Sequence, residues 1–174
     1  MLSELLNKVS ELGTPLLFGA ITTVTITLSS LVFAIIIGLL LALIRLLKIK
    51  VVNALISTYV EIFRNTPVLA QLFILYFGLP YMGIKISPFL AATIGLSLNG
   101  GALLSEVFRA GLGAIHFGQR ESALSVGMTP WMSLRYIILP QTWRITLPPI
   151  GNYAIALLKD TAVVSAIAAP EIMF

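Results

Sequence analysis

The sequence predicts an all-α integral membrane protein, a multi-span helical bundle, and three observations predict it. Of 174 residues, 58% are hydrophobic and only 10% charged, too few charges to cover a water-soluble surface of this size. Several apolar runs reach the ~20 residues that a helix needs to cross ~30 Å of hydrocarbon. The basic residues gather in alternate short connections between those runs, as membrane topology requires.

Composition also excludes several classes. With no cysteine there is no disulfide framework, thiol nucleophile or Cys-based metal site. The single His116 cannot form a metal site alone and reads as an ordinary loop residue. A net charge of +4 spread between apolar runs, not gathered on one soluble face, argues against nucleic acid as a partner and for membrane lipid. No acid cluster at metal spacing and no His-containing pair supports catalysis, so the chain does not read as an enzyme.

Residues 1–15 include SELLNKVSEL, charged at Glu4, Lys8 and Glu11. This lacks the basic, apolar, then small-residue order of a cleaved signal peptide and predicts a short amphipathic helix ahead of a membrane domain over 16–174. Leu16–Leu43 is the first span, ended by Arg45, Lys48 and Lys50. Thr22, Thr25 and Ser29 share one face of it and either bond back to the helix's own carbonyls, pack on a neighbouring span, or line a path.

The second span covers Val52 to about Pro80, with Glu61 and Arg64 near its start and close enough in sequence to pair on one helix face. Asn65-Thr66-Pro67 disfavours regular helix, predicting a kink or an interrupted first turn, with the uninterrupted helix running from Pro67 to Phe77. Ile86–Phe108 is the third span, with small Ala91, Gly95 and Ala102 for close helix approach and with Asn99 and Glu106 on one face. The fourth runs from Ile145 to about Ala168, broken early at Pro148-Pro149 and carrying Asn152, Lys159 and Asp160. Intramembrane ionisable and amide groups mark a path or a gate by default, which makes Glu61, Arg64, Asn99, Glu106, Lys159 and Asp160 candidates. The structural rivals are ion pairs of Glu61 with Arg64 and of Glu106 with Arg109, and Asn99 as a bridge between helices; Lys159 and Asp160, adjacent and pointing apart, need partners from neighbouring helices or the solute.

Basic residues place the first and third connections in the cytoplasm and the N-terminus outside. The third connection contains the most structured polar stretch of the chain, Gly118–Pro140. A helix from Gln119 to Val126 ends where Gly127 can turn left-handed. A second starts with Thr129 as N-cap and Pro130 at its first position, and ends at or before Pro140. Leu124, Val126, Met128 and Trp131 give this elbow an apolar side that needs either the membrane underside or another protein's groove.

Glu121-Ser122-Ala123, then Gly127, Ile137 and Leu139-Pro140 at the right spacing, resemble the EAA loop of ABC-importer permeases, with Ser122 where the consensus has its second alanine. Tyr59-Val60-Glu61-Ile62-Phe63-Arg64-Asn65-Thr66-Pro67, Leu96-Ser97-Leu98-Asn99-Gly100-Gly101-Ala102, Phe108-Arg109-Ala110-Gly111 and Leu157-Leu158-Lys159-Asp160-Thr161 extend the resemblance to the permeases of polar amino-acid importers. From about Gly19 onward the chain is similar to that family throughout. The resemblance implies a type I ABC importer permease fold, a second permease chain, identical or homologous, and an extracytoplasmic amino-acid-binding protein. It also implies a separate ATP-binding subunit, holding ATP and Mg, that grips the loop through Glu121, Ser122, Ala123 and Gly127. The chain itself has no G-x-x-x-x-G-K-[ST] with which to hold a nucleotide. The same resemblance implies a fifth span, and the sequence stops before it, at Phe174. The rivals are a stand-alone channel or secondary carrier in which the loop is inert, and a truncated partner subunit that does not transport.

Overall fold

The computed structural model describes the backbone of residues 2–167 and the side chains of residues 13–167. Expectations for Ala168 and for residues 169–174 fall outside these. So do the side chains of residues 2–12, on which the amphipathic character of the N-terminal segment rests.

Helix α1 (Leu2–Arg45) continues without a break through Pro15. Its Gly13–Arg45 portion has a mean hydropathy of 2.7 over its most apolar stretch. At 1.5 Å per residue it is longer than the hydrocarbon is thick. Its hydroxyls bond back to the helix: Thr22 donates to the Phe18 carbonyl at 3.0 Å, Thr25 to Ile21 at 2.6 Å and Ser29 to Thr25 at 2.7 Å. Their polarity is thereby met within the helix, and no path has to be invoked for it.

A tight corner with Lys48 at φ 56° leads into α2 (Lys50–Asn65). The break expected at Thr66-Pro67 is a bend of 105° between Lys50–Asn65 and Val68–Met82, much more than a kink. Proline bars Thr66 from helical backbone, and Thr66 sits extended at φ −103°, ψ 137°. The uninterrupted helix expected over Pro67–Phe77 is shorter: α3 (Val68–Phe73) passes into a π turn over Ile74–Gly78 and a 3-10 turn over Leu79–Met82.

Two amides make this elbow tolerable in an apolar setting, where orphaned carbonyls are costly. Gln71 Nε2 donates to the carbonyls of Phe63 at 3.0 Å and Thr66 at 3.1 Å and to Thr66 Oγ1 at 2.8 Å. Asn99 Nδ2 donates to the same Phe63 carbonyl at 2.9 Å. Gln71→Leu leaves those carbonyls short of donors, so it is expected to cost about 1–3 kcal/mol and lower the thermal midpoint of the detergent-solubilised protein. A midpoint equal to that of wild type would show that the amide does not hold the bend.

Helix α4 (Pro88–Gly113) begins with the Ser87 side chain capping the Leu90 N–H and is the central helix. Of its most apolar stretch 61% is buried, against 33% for α1. Small residues set its spacing from α1: a β-carbon on Gly38 would lie 2.9 Å from the Leu104 β-carbon and the Ser105 nitrogen, and one on Gly101 would lie 2.5 Å from Ile37. Ala34, Ala42, Leu104, Phe108 and Ile150 close the core there, while Leu96, Leu157, Val164 and Ile167 join Ile26, Leu72, Ala91 and Ala92 in a second cluster.

After α4 come α5 (Phe117–Ser125), α6 (Pro130–Ser133), a π turn over Leu134–Ile138, α7 (Leu139–Asp160) and a 3-10 segment over Thr161–Ile167. Two expectations are corrected here. The helix that starts at Pro130 does not end at Pro140, and α7 is not broken at Pro148-Pro149. The π turn widens the helix just before Pro140, and Gln141 Nε2 donates to the Ile137 carbonyl at 3.0 Å, supplying a donor beside the one proline lacks. Thr142 and Thr146 hydroxyls bond back to the Ile138 and Trp143 carbonyls at 2.9 and 3.3 Å, and the helix runs on through Pro148-Pro149 without a break. Pro130–Ile167 is thus one long helical element that starts in the loop and ends inside the bundle. Among the described residues three helices are long and apolar enough to cross a membrane, or four if the bent pair is one span.

Candidate functional site

The loop is an ordered elbow. His116 caps α5, its Nδ1 accepting from the Gly118 N–H at 3.1 Å, so the helix starts two residues before the expected Gln119. It ends at Ser125, with Val126 as its cap and Gly127 at φ +83°. Gly127 N–H donates to Leu124 at 3.0 Å and Met128 N–H to Ala123 at 3.1 Å, the paired bonds of a Schellman stop. Two residues later Thr129 Oγ1 accepts from the Met132 N–H at 3.2 Å, and Pro130 takes the first helical position. One helix is stopped and the next started within four residues, which fixes the angle between them.

Of the predicted coupling residues, Glu121, Ser122 and Gly127 face outward, while Ala123 is buried at 6% exposure and supports the loop from beneath. Leu124, Val126 and Trp131 are exposed, Val126 at 75%. Among the described residues nothing covers this apolar surface, which suits a contact with another protein or with the membrane face.

A second feature lies where α1, α2 and α4 converge. A cleft of about 750 Å³ is lined by Arg45, Asn53, Ser57, Glu61, Arg64, Glu106 and Arg109, with Ala42, Leu46, Val60, Leu112 and Gly113. Glu106 accepts from Arg109 Nη2 at 2.6 Å and Nε at 2.8 Å, the pairing expected from the sequence. It also accepts from Arg45 Nη1 at 2.6 Å, a partner that sequence spacing could not reveal because α1 and α4 are far apart in the chain. Glu61 and Arg64 form no ion pair; both are exposed on the α2 wall of the cleft. Exposure explains this, since two long solvated side chains gain little from being held together.

Asn99 bridges helices: it reaches the α2 carbonyl of Phe63 and, at 3.4 Å, Gln71 Oε1 of α3. Gln71 was not singled out in the sequence, though an amide four residues after an interrupting proline was the available signal. Lys159 and Asp160 lie at the exposed end of α7 and make no hydrogen bond or ion pair with the described residues. The structure therefore gathers Glu61, Arg64 and Glu106 at one cleft, puts Asn99 at the α2–α3 elbow, and leaves Lys159 and Asp160 elsewhere.

The chain was compared with known proteins. TcyB, an L-cystine transport system permease protein of Bacillus subtilis (strain 168), is 39% identical over 159 residues, covering 91% of this chain and 68% of TcyB. YxeN of the same organism, a probable amino-acid permease protein, is 46% identical over 143 residues, covering 80% of this chain and 64% of YxeN. The chain thus spans about two thirds of the length of these relatives. A crystal structure of an amino acid ABC transporter with histidines superposes with a TM-score of 0.86 at 36% identity, covering 95% of this chain and 78% of that one. The profile of the binding-protein-dependent transport system inner membrane component matches residues 34–173. With most of its length under that profile and the fold and loop described above, the chain belongs to the family of inner membrane components of binding-protein-dependent transport systems.

Proposed function

We propose that the chain is the membrane-spanning permease subunit of an ATP-driven importer of polar amino acids, part of a solute path opened and closed by a separate ATPase. The observation that carries this reading is the rigid, uncovered elbow over residues 118–140, whose exposed Leu124, Val126 and Trp131 suit a groove on another protein. Relatives described as amino-acid and L-cystine permeases support the solute class. The basic residues of the first and third connections support a cytoplasmic elbow and an N-terminus outside. ATP and Mg belong to the ATPase subunit; a second permease chain completes the path, and an extracytoplasmic binding protein delivers the amino acid.

In this arrangement movement of the ATPase turns α5 and the start of α6, and the attached α4 and α7 tilt with them. Glu121, exposed in the first half of α5, is the polar anchor of the contact. Glu121→Lys reverses its charge without touching the bundle, so the chain is expected to insert normally and to recover roughly tenfold less ATPase on co-purification. Unchanged recovery of a nucleotide-binding subunit, with uptake intact, would count against Glu121 as that anchor.

A further inference from the structure

Loop movement must reach the solute path through the bundle, and the cleft at Arg45 offers the connection. Arg45 is the last residue of α1, and α4 ends at Gly113, two turns beyond Glu106 and just ahead of α5. The Arg45–Glu106 pair at 2.6 Å is largely enclosed, with side-chain exposures of 13% and 22%, whereas Arg109 is 57% exposed. Below it, Gly38 brings α1 against the backbone of α4 at Leu104 and Ser105. These two attachments, one steric and one ionic, make α1 and α4 a single body near the loop.

Beside the cleft α2 is held to α4 by the Tyr59 hydroxyl, which donates to the Leu98 carbonyl at 2.6 Å, and by Ile56 and Val60 packed on Ala102; across the cleft itself the attachment is weak. Arg45 Nη2 reaches Ser57 Oγ at 3.4 Å, and Glu61 and Arg64 face the cleft unpaired. Arg45 Nε and Asn53 Oδ1, on opposite walls, are buried without a hydrogen-bond partner among the described residues. Two guanidinium groups also share the one carboxylate of Glu106, which leaves positive charge facing the free carboxylate of Glu61. Unpartnered polar atoms and unpaired charges thus stand on the facing walls of the cleft.

Building on the proposed function, we infer that Arg45 is a positioning residue for transport: held by Glu106, it makes the α1–α2 corner travel with the stem of the loop, so that tilting the loop changes the width of the charged cleft. Arg45 acts through Glu106 and α4. It lies outside the loop surface and touches no nucleotide.

The test uses the assembled transporter in vesicles, with Arg45→Gln and the conservative Arg45→Lys. Three readouts are ATP hydrolysis, uptake of a radiolabelled amino-acid mixture, and the distance between spin labels at Thr58 on α2 and Gly113 on α4. The chain has no native cysteine, so the two introduced ones are its only labelling sites, and an assembly with the unsubstituted chain controls for label on the other subunits. In wild type the distance changes on nucleotide addition. Arg45→Gln keeps hydrolysis and assembly, loses the distance change and lowers uptake roughly tenfold; Arg45→Lys, which keeps the charge, restores much of both. Wild-type uptake and distance change in Arg45→Gln overturn the inference. So does a parallel loss of hydrolysis, uptake and assembly, which is the mark of a merely structural pair. If the wild-type chain recruits no ATPase at all, the proposed function fails first.

Discussion

Gly127→Pro is expected to abolish solute uptake while the chain still inserts and folds. Gly127 holds φ +83°, and proline is confined near −65°, so the elbow cannot keep its shape. Proline also removes the N–H that donates to Leu124. Because a β-carbon at this position meets nothing within 4 Å, any other side chain pays in backbone conformation alone, and proline adds the lost hydrogen bond. Gly127→Ala should therefore behave as a graded version, with a left-handed alanine costing about 1–2 kcal/mol and uptake falling less. The site is outside the packed core, so the thermal midpoint of the solubilised chain should fall by only the few degrees that such a cost implies, far short of unfolding. The measurement is uptake per inserted molecule, with ATP hydrolysis followed in parallel; hydrolysis that persists without uptake identifies the angle of the elbow as the coupling element.

Gly38→Val is expected to have the opposite profile, damaging the fold before the function. The added β-carbon would sit 2.9 Å from the Leu104 β-carbon and the Ser105 nitrogen, and backbone on a packed helix cannot step aside as a flexible side chain can. α1 and α4 would have to separate, opening the cluster of Ala34, Ala42, Leu104, Phe108 and Ile150. Overpacking of this kind costs about 1–3 kcal/mol for side-chain clashes and more where backbone must move. A marked loss of monodisperse protein after solubilisation is the expected result. Gly151→Ala is the control: a β-carbon there meets nothing within 4 Å, and alanine favours helix by about 1 kcal/mol, so the folding of the isolated chain should be unharmed. Equal behaviour of the two variants would mean that close approach at Gly38 does not set the helix spacing.

The contrast between these positions shows what was legible in the sequence. Elements set by local chemistry were readable: the first and third apolar spans, the Ser and Thr hydroxyls that bond to their own helix, Gly127 as a helix stop, and Thr129-Pro130 as a helix start. Each of these depends on residues within a turn or two. Prolines were read too strongly. Pro140 and Pro148-Pro149 sit inside helix: a π turn precedes the first, the helix continues through the other two, and nothing in a local pattern announces either outcome. Pro67 was read too weakly: the sequence signals a break, but the 105° bend depends on Gln71 and Asn99 arriving from other segments.

The charged residues follow the same rule. Glu106 with Arg109, three apart on one helix, was predictable; Arg45, which reaches Glu106 from 61 positions away, was not. Glu61 and Arg64 have the same spacing as Glu106 and Arg109, yet stay apart. Burial separates the two cases: Glu106 is enclosed between helices and must be satisfied, while Glu61 and Arg64 remain solvated on the cleft wall. Spacing permits an ion pair; desolvation enforces it.

The most direct test of the whole account is the sidedness of the elbow. A single cysteine placed at Val126, 75% exposed and in a chain with no other cysteine, can be probed with a membrane-impermeant maleimide in intact cells and in inside-out vesicles. The account predicts modification only in the vesicles, and protection when the ATPase subunit is bound. Modification in intact cells would place residues 118–140 on the outer face, beyond the reach of any ATP-hydrolysing partner, and would contradict it.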